Sequence, residues 1–169
     1  GISHEGDMEE LSSVLRPDIG VILNVGAGHT EGLGKNGVAW HKSRLLTNLA
    51  PDGIGLVCAD YPDLVRDARA TGADLHFFSA AGRAVEYRAS YAGPAPVAAV
   101  TESAAPATTD APAAEGPDDR RGLYHLWLGT TRCVVTAPFR GEYGAENGVA
   151  VAAVAHQLGL SNAEIAQGL

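Results

Sequence analysis

A histidine and a lysine, thirteen positions apart, have the side chains and surroundings most suited to chemistry in this sequence. They lie in the stretch from Ile22 to Lys42, "ILNVGAGHTEGLGKNGVAWHK". His29 is flanked by Gly28 and Thr30, so no bulky neighbour blocks its ring, and a neutral imidazole there is a candidate metal ligand. An exposed loop histidine without a ligand is the competing interpretation.

Lys42 is predicted to lie on the apolar stripe of a helix that begins at Gly37. Apolar residues stand four positions before it and three, four and seven positions after it, which is the spacing of one helical face. Burial lowers the pKa of an amine, and a neutral amine can form a Schiff base with a carbonyl or a carbamate with carbon dioxide. A carbamate would act as a carboxylate-like metal ligand. Alternatively, Lys42 extends its amine from the edge of the stripe to solvent.

The glycine-rich stretch fits neither of the common phosphate-binding fingerprints. A G-x-x-x-x-G-K-[ST] loop ending at Gly34-Lys35 needs a glycine where His29 stands and a hydroxyl residue where Asn36 stands. The dinucleotide pattern G-x-G-x-x-G fails because its third glycine would fall on Glu31. The stretch is therefore neither of these loops, and its glycines leave space around a strand end.

Strands and helices alternate in the first half of the chain, which positions this stretch. The predicted elements are a helix Asp7–Leu15, a strand Ile19–Val25, a helix Gly37–Leu49, a strand Ile54–Cys58, a helix Pro62–Thr71 and a strand Leu75–Phe78. Such alternation predicts an α/β fold, a largely parallel sheet flanked by helices. Ligands bind at the carboxyl ends of the strands in such sheets, and His29 follows one of these ends.

The second half predicts a small antiparallel portion and two more helices. The predicted strands are Ala84–Tyr91, which leaves the first sheet, and a hairpin of Leu123–Leu128 and Thr131–Ala137. The predicted helices are Ala145–Leu158 and Ser161–Gly168, the latter with a capping box from Ser161 to Glu164. Residues 92–122 are rich in Ala, Pro, Thr and acids, which predicts a disordered insertion within one domain of residues 1–169.

The composition narrows the class of protein. Apolar residues make up 46% of the 169 residues and charged residues 19%, as in globular domains. The formal net charge of -8 argues against nucleic acid and against anionic membrane surfaces as partners. No run of 18 apolar residues occurs, so we expect no membrane insertion. The two cysteines lie in apolar runs without metal-binding spacing, which predicts a cytoplasmic protein.

Several segments, in this order and at this spacing, resemble the central domain of the Mur ligases. They are "GISHEGDMEEL", "RPDIGVILNVGAGHTEGLG", "GVAWHKSRLL", "PDGIGLVCAD" and, from Ala137 to Leu169, "APFRGEYGAENGVAVAAVAHQLGLSNAEIAQGL". The resemblance is greatest to the branch that adds D-alanyl-D-alanine to UDP-N-acetylmuramoyl-tripeptide. It implies a partial Mur ligase central domain and covers a little more than half of the chain.

The resemblance implies roles for five residues. His29, after Asn24 in an N-[VL]-x-x-x-H segment, corresponds to a histidine that binds Mg²⁺. Lys42 corresponds to a catalytic lysine that is commonly carbamylated and helps to hold the metal and the γ-phosphate. Asn147 corresponds to the last asparagine of an H-N-x-x-N segment, which contacts the adenine of ATP. The Gly-x-[NS]-H segment makes Ser3 and His4 candidate substrate-binding residues.

The sequence also departs from the family pattern. Tyr143-Gly144 replaces the His-Asn pair of the H-N-x-x-N segment, and a helix N-cap is an alternative role for Asn147. The family's G-T-x-G-K-[ST] loop and a metal-binding glutamate are not in the sequence, and we expect both to lie upstream of Gly1. The expected C-terminal domain is not in it either. We therefore expect the chain by itself to be inactive and to bind ATP weakly.

The implied activity is that of an ATP-dependent amide-bond ligase acting with ATP and Mg²⁺. A substrate carboxylate attacks the γ-phosphorus and forms an acyl phosphate, which the amine of D-Ala-D-Ala then attacks. UDP-MurNAc-tripeptide and D-Ala-D-Ala are the implied substrates of the intact enzyme. Two alternatives stay open: a ligase like folylpolyglutamate synthase, and a non-catalytic binding module of the same fold, which Tyr143-Gly144 and the insertion would suit.

Overall fold

The structure is a computed structural model that describes residues 4–26, 35–96 and 121–169. Six strands form one sheet in these residues, in chain order from edge to edge: β1 Ile19–Ile22, β2 Ile54–Cys58, β3 Asp74–Ser79, β4 Tyr87–Pro94, β5 Gly122–Leu128 and β6 Thr131–Ala137. The α-helices are α1 Asp7–Leu15, α2 Val38–Ser43, α3 Pro62–Arg69, α4 Gly141–Gln157 and α5 Asn162–Gly168, with a 3₁₀ helix at Arg44–Asn48.

The predicted α/β architecture is confirmed. Strands β1 to β4 run parallel to one another, and β5 and β6 add an antiparallel portion beside β4. The parallel strands are short apolar runs, and a glycine lets a helix approach them closely. A Cβ on Gly55 would lie 2.7 Å from a methyl group of Leu75 and 2.9 Å from one of Leu46. The absence of a side chain at Gly55 therefore lets the 3₁₀ helix pack closely against the sheet.

The prediction that the strand after Phe78 leaves the first sheet is wrong. β4 pairs in parallel with the end of β3 through Phe78 and Tyr87, and then along its length with β5. The hairpin is thus joined to the parallel strands in one continuous sheet. The pairing with β3 involves two residue pairs, too little to leave a pattern in the sequence. The first strand is also shorter than predicted, because β1 ends at Ile22 and not at Val25.

Two apolar clusters form the core, one on each face of the sheet. The face under α4 and α5 buries Leu56, Phe78 and Tyr87 completely. The opposite face buries Val57 against Leu64 of α3. Each fully buried large apolar side chain contributes about 1.5–3 kcal/mol to stability. Helices on both faces of the sheet therefore hold the carboxyl ends of β1 and β2 in place.

Helix boundaries differ from the predictions at two places that matter for function. α4 begins at Gly141, with Arg140 as its N-cap, so Asn147 lies within the helix and the N-cap interpretation of Asn147 is wrong. The predicted helix Gly37–Leu49 changes from α to 3₁₀ geometry after Ser43. The predicted capping box of the last helix is confirmed, since Ser161 accepts from the Glu164 backbone and Glu164 accepts from the Ser161 backbone.

The predicted insertion, residues 92–122, falls mostly outside the described residues. At its two ends the structure shows ordered strands, since β4 continues to Pro94 and β5 begins at Gly122, paired with each other. The disorder predicted for the residues between them stays a prediction. Among the described helices, none combines the length and the apolar character that crossing a membrane requires.

Candidate functional site

Polar side chains gather where the parallel strands end. Asn24 follows β1, Asp60 and Tyr61 follow β2, and Ser79 closes β3. Glu146 reaches the same place from the second turn of α4. Because ligands bind at the carboxyl ends of parallel strands, this group marks the candidate site that the sequence predicted after β1.

Lys42 reaches this edge from α2. Its Nζ donates a hydrogen bond of 2.6 Å to the backbone carbonyl of Asn24. The amine therefore lies beside the first residues of the stretch that contains His29. The chemical role of Lys42 stays a prediction.

Lys42 is less buried than its apolar spacing predicted. The side chain is half-buried, and the fully buried residues of this helix are its two neighbours, His41 and Ser43. After Ser43 the chain continues as a 3₁₀ helix. The amine of Lys42, which the alternative interpretation placed in solvent, donates to the Asn24 carbonyl.

Glu146 is the buried carboxylate of this edge, with 8% of its surface exposed. Asn24 Nδ2 donates to its Oε1 at 3.1 Å, and the Tyr61 hydroxyl donates to its Oε2 at 3.3 Å. Each oxygen thus has one neutral donor. These contacts join α4, the end of β1 and the start of α3, and through Asn24 they also reach Lys42.

Asp60 organises the neighbouring turn. Its carboxylate accepts from the Ser79 hydroxyl at 2.5 Å and from the backbone amides of Ala80 and Ala81 at 2.8 and 3.1 Å. These bonds occupy both of its oxygens and fix the chain that leaves β3. Asp60 therefore has a structural role here, in contrast to Glu146, whose partners belong to the candidate site.

Burial and the carboxylates of Asp60 and Glu146 raise the pKa values of the neighbouring Cys58 thiol and Tyr61 hydroxyl. Burial, reinforced by the negative charges of Asp60 and Glu146, raises the pKa of the Cys58 thiol to about 12. Burial and then the charge of Glu146 raise the pKa of Tyr61 to about 12. Both groups are therefore neutral near pH 7, and Cys58 is an unreactive core residue, as its apolar sequence context predicted.

Asn147 is exposed and lies at the edge of an apolar groove of about 570 Å³ between β1 and α4. Its amide is the polar group in a wall of aliphatic side chains. The lining residues are Val21, Leu23, Asn147, Ala150, Val151, Val154, Ala155, Leu158 and Leu160. A flat apolar ligand with hydrogen-bonding edges suits such a groove, and the contact of Asn147 with an adenine stays a prediction.

The departure at Tyr143-Gly144 has a packing explanation. Gly144 is buried, and a Cβ there would lie 2.6 Å from the ring of Phe139 and in collision with the Tyr124 hydroxyl. That hydroxyl donates to the carbonyl of Phe139 at 3.1 Å, just before α4 begins. A side chain at position 144, such as the family's asparagine, would displace Tyr124. Tyr143, by contrast, is 82% exposed.

A second, polar groove of about 460 Å³ lies beside the residues that follow β1. Val25, Gly26 and Lys35 are among the residues that line it. Asp63 and Asp67 also line it, and both contact the guanidinium of Arg66 at 2.8 Å. The groove therefore brings charges of both signs next to the candidate site.

The remaining predicted site residues are His29, Ser3 and His4. His29 and Ser3 lie outside the described residues. His4 is exposed at the start of α1, where its backbone N–H donates to Asp7 at 2.8 Å. The substrate-binding roles of Ser3 and His4 stay predictions.

The described residues alone do not make a metal centre. In residues 4–26, 35–96 and 121–169, no group of three or more His, Cys, Asp or Glu residues is placed to hold an ion. Mg²⁺ prefers oxygen ligands, and both oxygens of Glu146 already accept hydrogen bonds. Lys42 fits the predicted Mg²⁺ site, since a carbamate on its amine would supply carboxylate-like oxygens at this strand edge.

Sequence reasoning did not single out Glu146, Tyr61 or the side chain of Asn24. For Glu146 a signal existed, because it stands three and four residues before Val149 and Ala150, on the buried face of an Ala/Val helix. A carboxylate in such a position must find donors. No pattern in the sequence pointed to Tyr61, whose contact with Glu146 spans 85 positions of the chain.

Fold and site together define an α/β domain with a candidate site at the carboxyl ends of its parallel strands. The model of the Mur ligase middle domain matches residues 1–155. This chain therefore belongs to the Mur ligase family.

Individual relatives agree with this assignment. Over 63 residues, 37% of this chain, it is 35% identical to UDP-N-acetylmuramoyl-tripeptide–D-alanyl-D-alanine ligase of Bacillus subtilis (strain 168). All of the chain superposes on MurF from Acinetobacter baumannii with a TM-score of 0.70 and 22% identity. For MurF ligase from Thermotoga maritima in complex with ADP, coverage of this chain is 99%, the TM-score 0.67 and the identity 18%.

The chain spans only part of these proteins. It covers 14% of the length of the Bacillus subtilis relative, 32% of the Acinetobacter baumannii chain and 34% of the Thermotoga maritima chain. The similarity to the solved structures concerns the fold.

Proposed function

We propose that the protein to which this chain belongs is an ATP-dependent ligase that adds D-Ala-D-Ala to UDP-MurNAc-tripeptide. The observation that carries this proposal is the contact of the Lys42 amine with the carbonyl of Asn24, at the carboxyl edge of a Mur ligase fold. The match to the tripeptide ligase of Bacillus subtilis supports the choice of substrates.

The proposed reaction forms an amide bond in two steps. The terminal carboxylate of the tripeptide attacks the γ-phosphorus of ATP, giving an acyl phosphate and ADP. The amine of D-Ala-D-Ala then attacks the acyl carbon, and inorganic phosphate leaves. The contribution of the protein is to position the reactants and to stabilise the charge that develops during phosphoryl transfer.

His29 and a carbamate on Lys42 are the proposed protein ligands of Mg²⁺ in this site. Mg²⁺, when bound, neutralises the charge of the β- and γ-phosphates. His29 would hold it, and a carbamate on Lys42 would add anionic oxygens, which an ammonium group cannot supply. The half-buried amine at the strand edge supports this role for Lys42.

Asn147 is the proposed contact for the adenine ring. Its exposure and its place at the edge of an apolar groove support this, because the amide is free to pair with the edge of a base. The MurF ligase from Thermotoga maritima was solved in complex with ADP, which agrees with a nucleotide ligand in this fold. The cytoplasmic location stays a prediction.

The test is an assay of the full-length protein with purified substrates. ADP release should require UDP-MurNAc-tripeptide, D-Ala-D-Ala and Mg²⁺ together, and mass spectrometry should show the pentapeptide product. ADP release with a folate and glutamate instead would favour the folylpolyglutamate synthase alternative. No turnover with either pair, although the protein binds one of the ligands, would favour the non-catalytic module.

A further inference from the structure

We propose that Glu146 is a positioning residue of this site, which fixes Asn24 and, through the Asn24 carbonyl, the amine of Lys42. Its role in turnover rests on the function proposed above, whereas its effect on the Lys42 amine does not. The family resemblance drew attention to Asn147, the neighbouring residue in the sequence, and gave Glu146 no role.

The first support is the direction of the hydrogen bonds. Asn24 Nδ2 donates to Glu146 at 3.1 Å, while the backbone carbonyl of the same asparagine accepts from Lys42 at 2.6 Å. Asn24 thus connects a carboxylate on one side to an amine on the other. Strand β1 has already ended at Ile22, so no strand among residues 4–26, 35–96 and 121–169 pairs with Asn24.

The second support is the burial of Glu146. The residue is 8% exposed, and the partners that the structure gives its oxygens are Asn24 and the Tyr61 hydroxyl. Burying a carboxylate is unfavourable, and two neutral donors compensate for this in part. An apolar residue would suit the buried face of this Ala/Val helix better. The hydrogen bond from Asn24 gives the carboxylate of Glu146 a reason to be there.

Asn24 and Tyr61 bind different oxygens of Glu146, so their contributions can be separated. Tyr61 binds the opposite oxygen of Glu146 and touches neither Asn24 nor Lys42 by a hydrogen bond. Loss of the tyrosine hydroxyl should therefore leave the connection from Glu146 to Lys42 in place. Tyr61→Phe is the matched control for Glu146→Ala, since both remove part of one hydrogen-bonded cluster.

The first experiment measures the reactivity of the Lys42 amine and needs no ligase activity. Full-length protein is treated with limiting acetic anhydride, and modification is counted by peptide mass spectrometry, with exposed Lys35 as the internal reference. In Glu146→Ala we expect Lys42 to react several-fold faster relative to Lys35, and in Tyr61→Phe we expect no change. Equal Lys42 reactivity in Glu146→Ala and wild type would overturn the proposal.

The second experiment is a double-mutant cycle on turnover. Glu146→Ala should lower kcat by about 10- to 100-fold in the wild-type background, but by less than about threefold when Lys42 is already alanine, because residues that act through one another are not additive. Full multiplication of the two losses would show that Glu146 acts independently of Lys42. An inactive wild-type protein would contradict the proposed function and leave the reactivity test intact.

A third experiment exchanges the hydrogen-bond donor and acceptor between positions 24 and 146, which separates loss of this bond from misfolding. Asn24→Asp alone places two carboxylates about 3 Å apart and should abolish the connection. Adding Glu146→Gln restores a donor and an acceptor with their places exchanged, while the carbonyl oxygen of the new amide can still accept from Tyr61. We expect the double variant to recover most of the kcat and the slow acetylation of Lys42. Failure to recover either, in a protein with wild-type melting temperature, would count against the proposal.

Discussion

Lys42 and Glu146 lie on different elements, and Asn24 forms hydrogen bonds with both of them. The sequence located the lysine because its apolar spacing was unusual for a charged residue. It could not give the partner of the amine, since Asn24 and Lys42 are 18 positions apart and meet only when β1 and α2 pack together. At the scale of single residues, function therefore depends on short contacts between distant segments.

Lys42→Ala should remove most of the ligase activity of the full-length protein. The loss follows from the absence of an amine that can carry a carbamate at the strand edge. Short-chain carboxylic acids should restore part of the kcat by filling the space of the carbamate, with a dependence on acid concentration that saturates.

The control for this rescue is Lys42→Arg, which keeps a positive charge but cannot form the carbamate. It should be inactive and should leave too little space for the acids to act. Undiminished kcat in Lys42→Ala would exclude the carbamate.

Helix α4 links packing and function at the scale of secondary structure. Its buried face carries Gly144 and Glu146, and its exposed face carries Tyr143 and Asn147. The sequence predicted the apolar part of this helix but placed its start four residues late, because Gly144 and the polar residues before it weaken the helical pattern. Tertiary contact explains that glycine, since Tyr124 and Phe139 occupy the space of a side chain.

Gly144→Ala should lower the free energy of unfolding by about 1–3 kcal/mol, because the new methyl group collides with Tyr124 and Phe139. Urea denaturation monitored by circular dichroism measures this. Tyr124→Phe in the same chain should recover part of the loss by removing the hydroxyl.

Gly148→Ala is the matched control, one turn further along the same helix. A Cβ there would lie 3.6 Å from Phe139, an ordinary contact. This substitution should raise stability by about 0.5–1 kcal/mol through helix propensity. Equal effects at positions 144 and 148 would contradict the packing explanation for Gly144.

At the scale of the whole molecule, burial has placed several acidic groups in environments that oppose their ionisation. The pKa of Cys58, Tyr61 and Tyr87 is raised in each case to about 12, with burial as the largest cause. The ordinary values are 9.0 for the cysteine and 10.0 for the tyrosines. The folded state therefore keeps protons that the unfolded chain releases at lower pH.

Stability should accordingly be insensitive to these groups below pH 9 and should fall between about pH 9 and pH 12. In that window the unfolded chain binds fewer protons than the folded one, so rising pH favours unfolding. Urea midpoints at pH 8, 9, 10 and 11 measure the decline. Tyr87→Phe should show a shallower decline above pH 10, and a flat profile in the wild type would contradict the buried, neutral state of all three groups.

The sequence by itself determined the alternation of strands and helices, the parallel sheet and the closing capping box. These depend on local patterns, in which apolar spacing and turn residues act within a few positions of each other. Only the tertiary structure decided that β4 joins both halves of the sheet, that Gly144 makes room for Tyr124, and that Glu146 meets Asn24 across 122 positions of the chain. Such contacts depend on which faces meet after folding, and a single sequence carries no local signal for that choice.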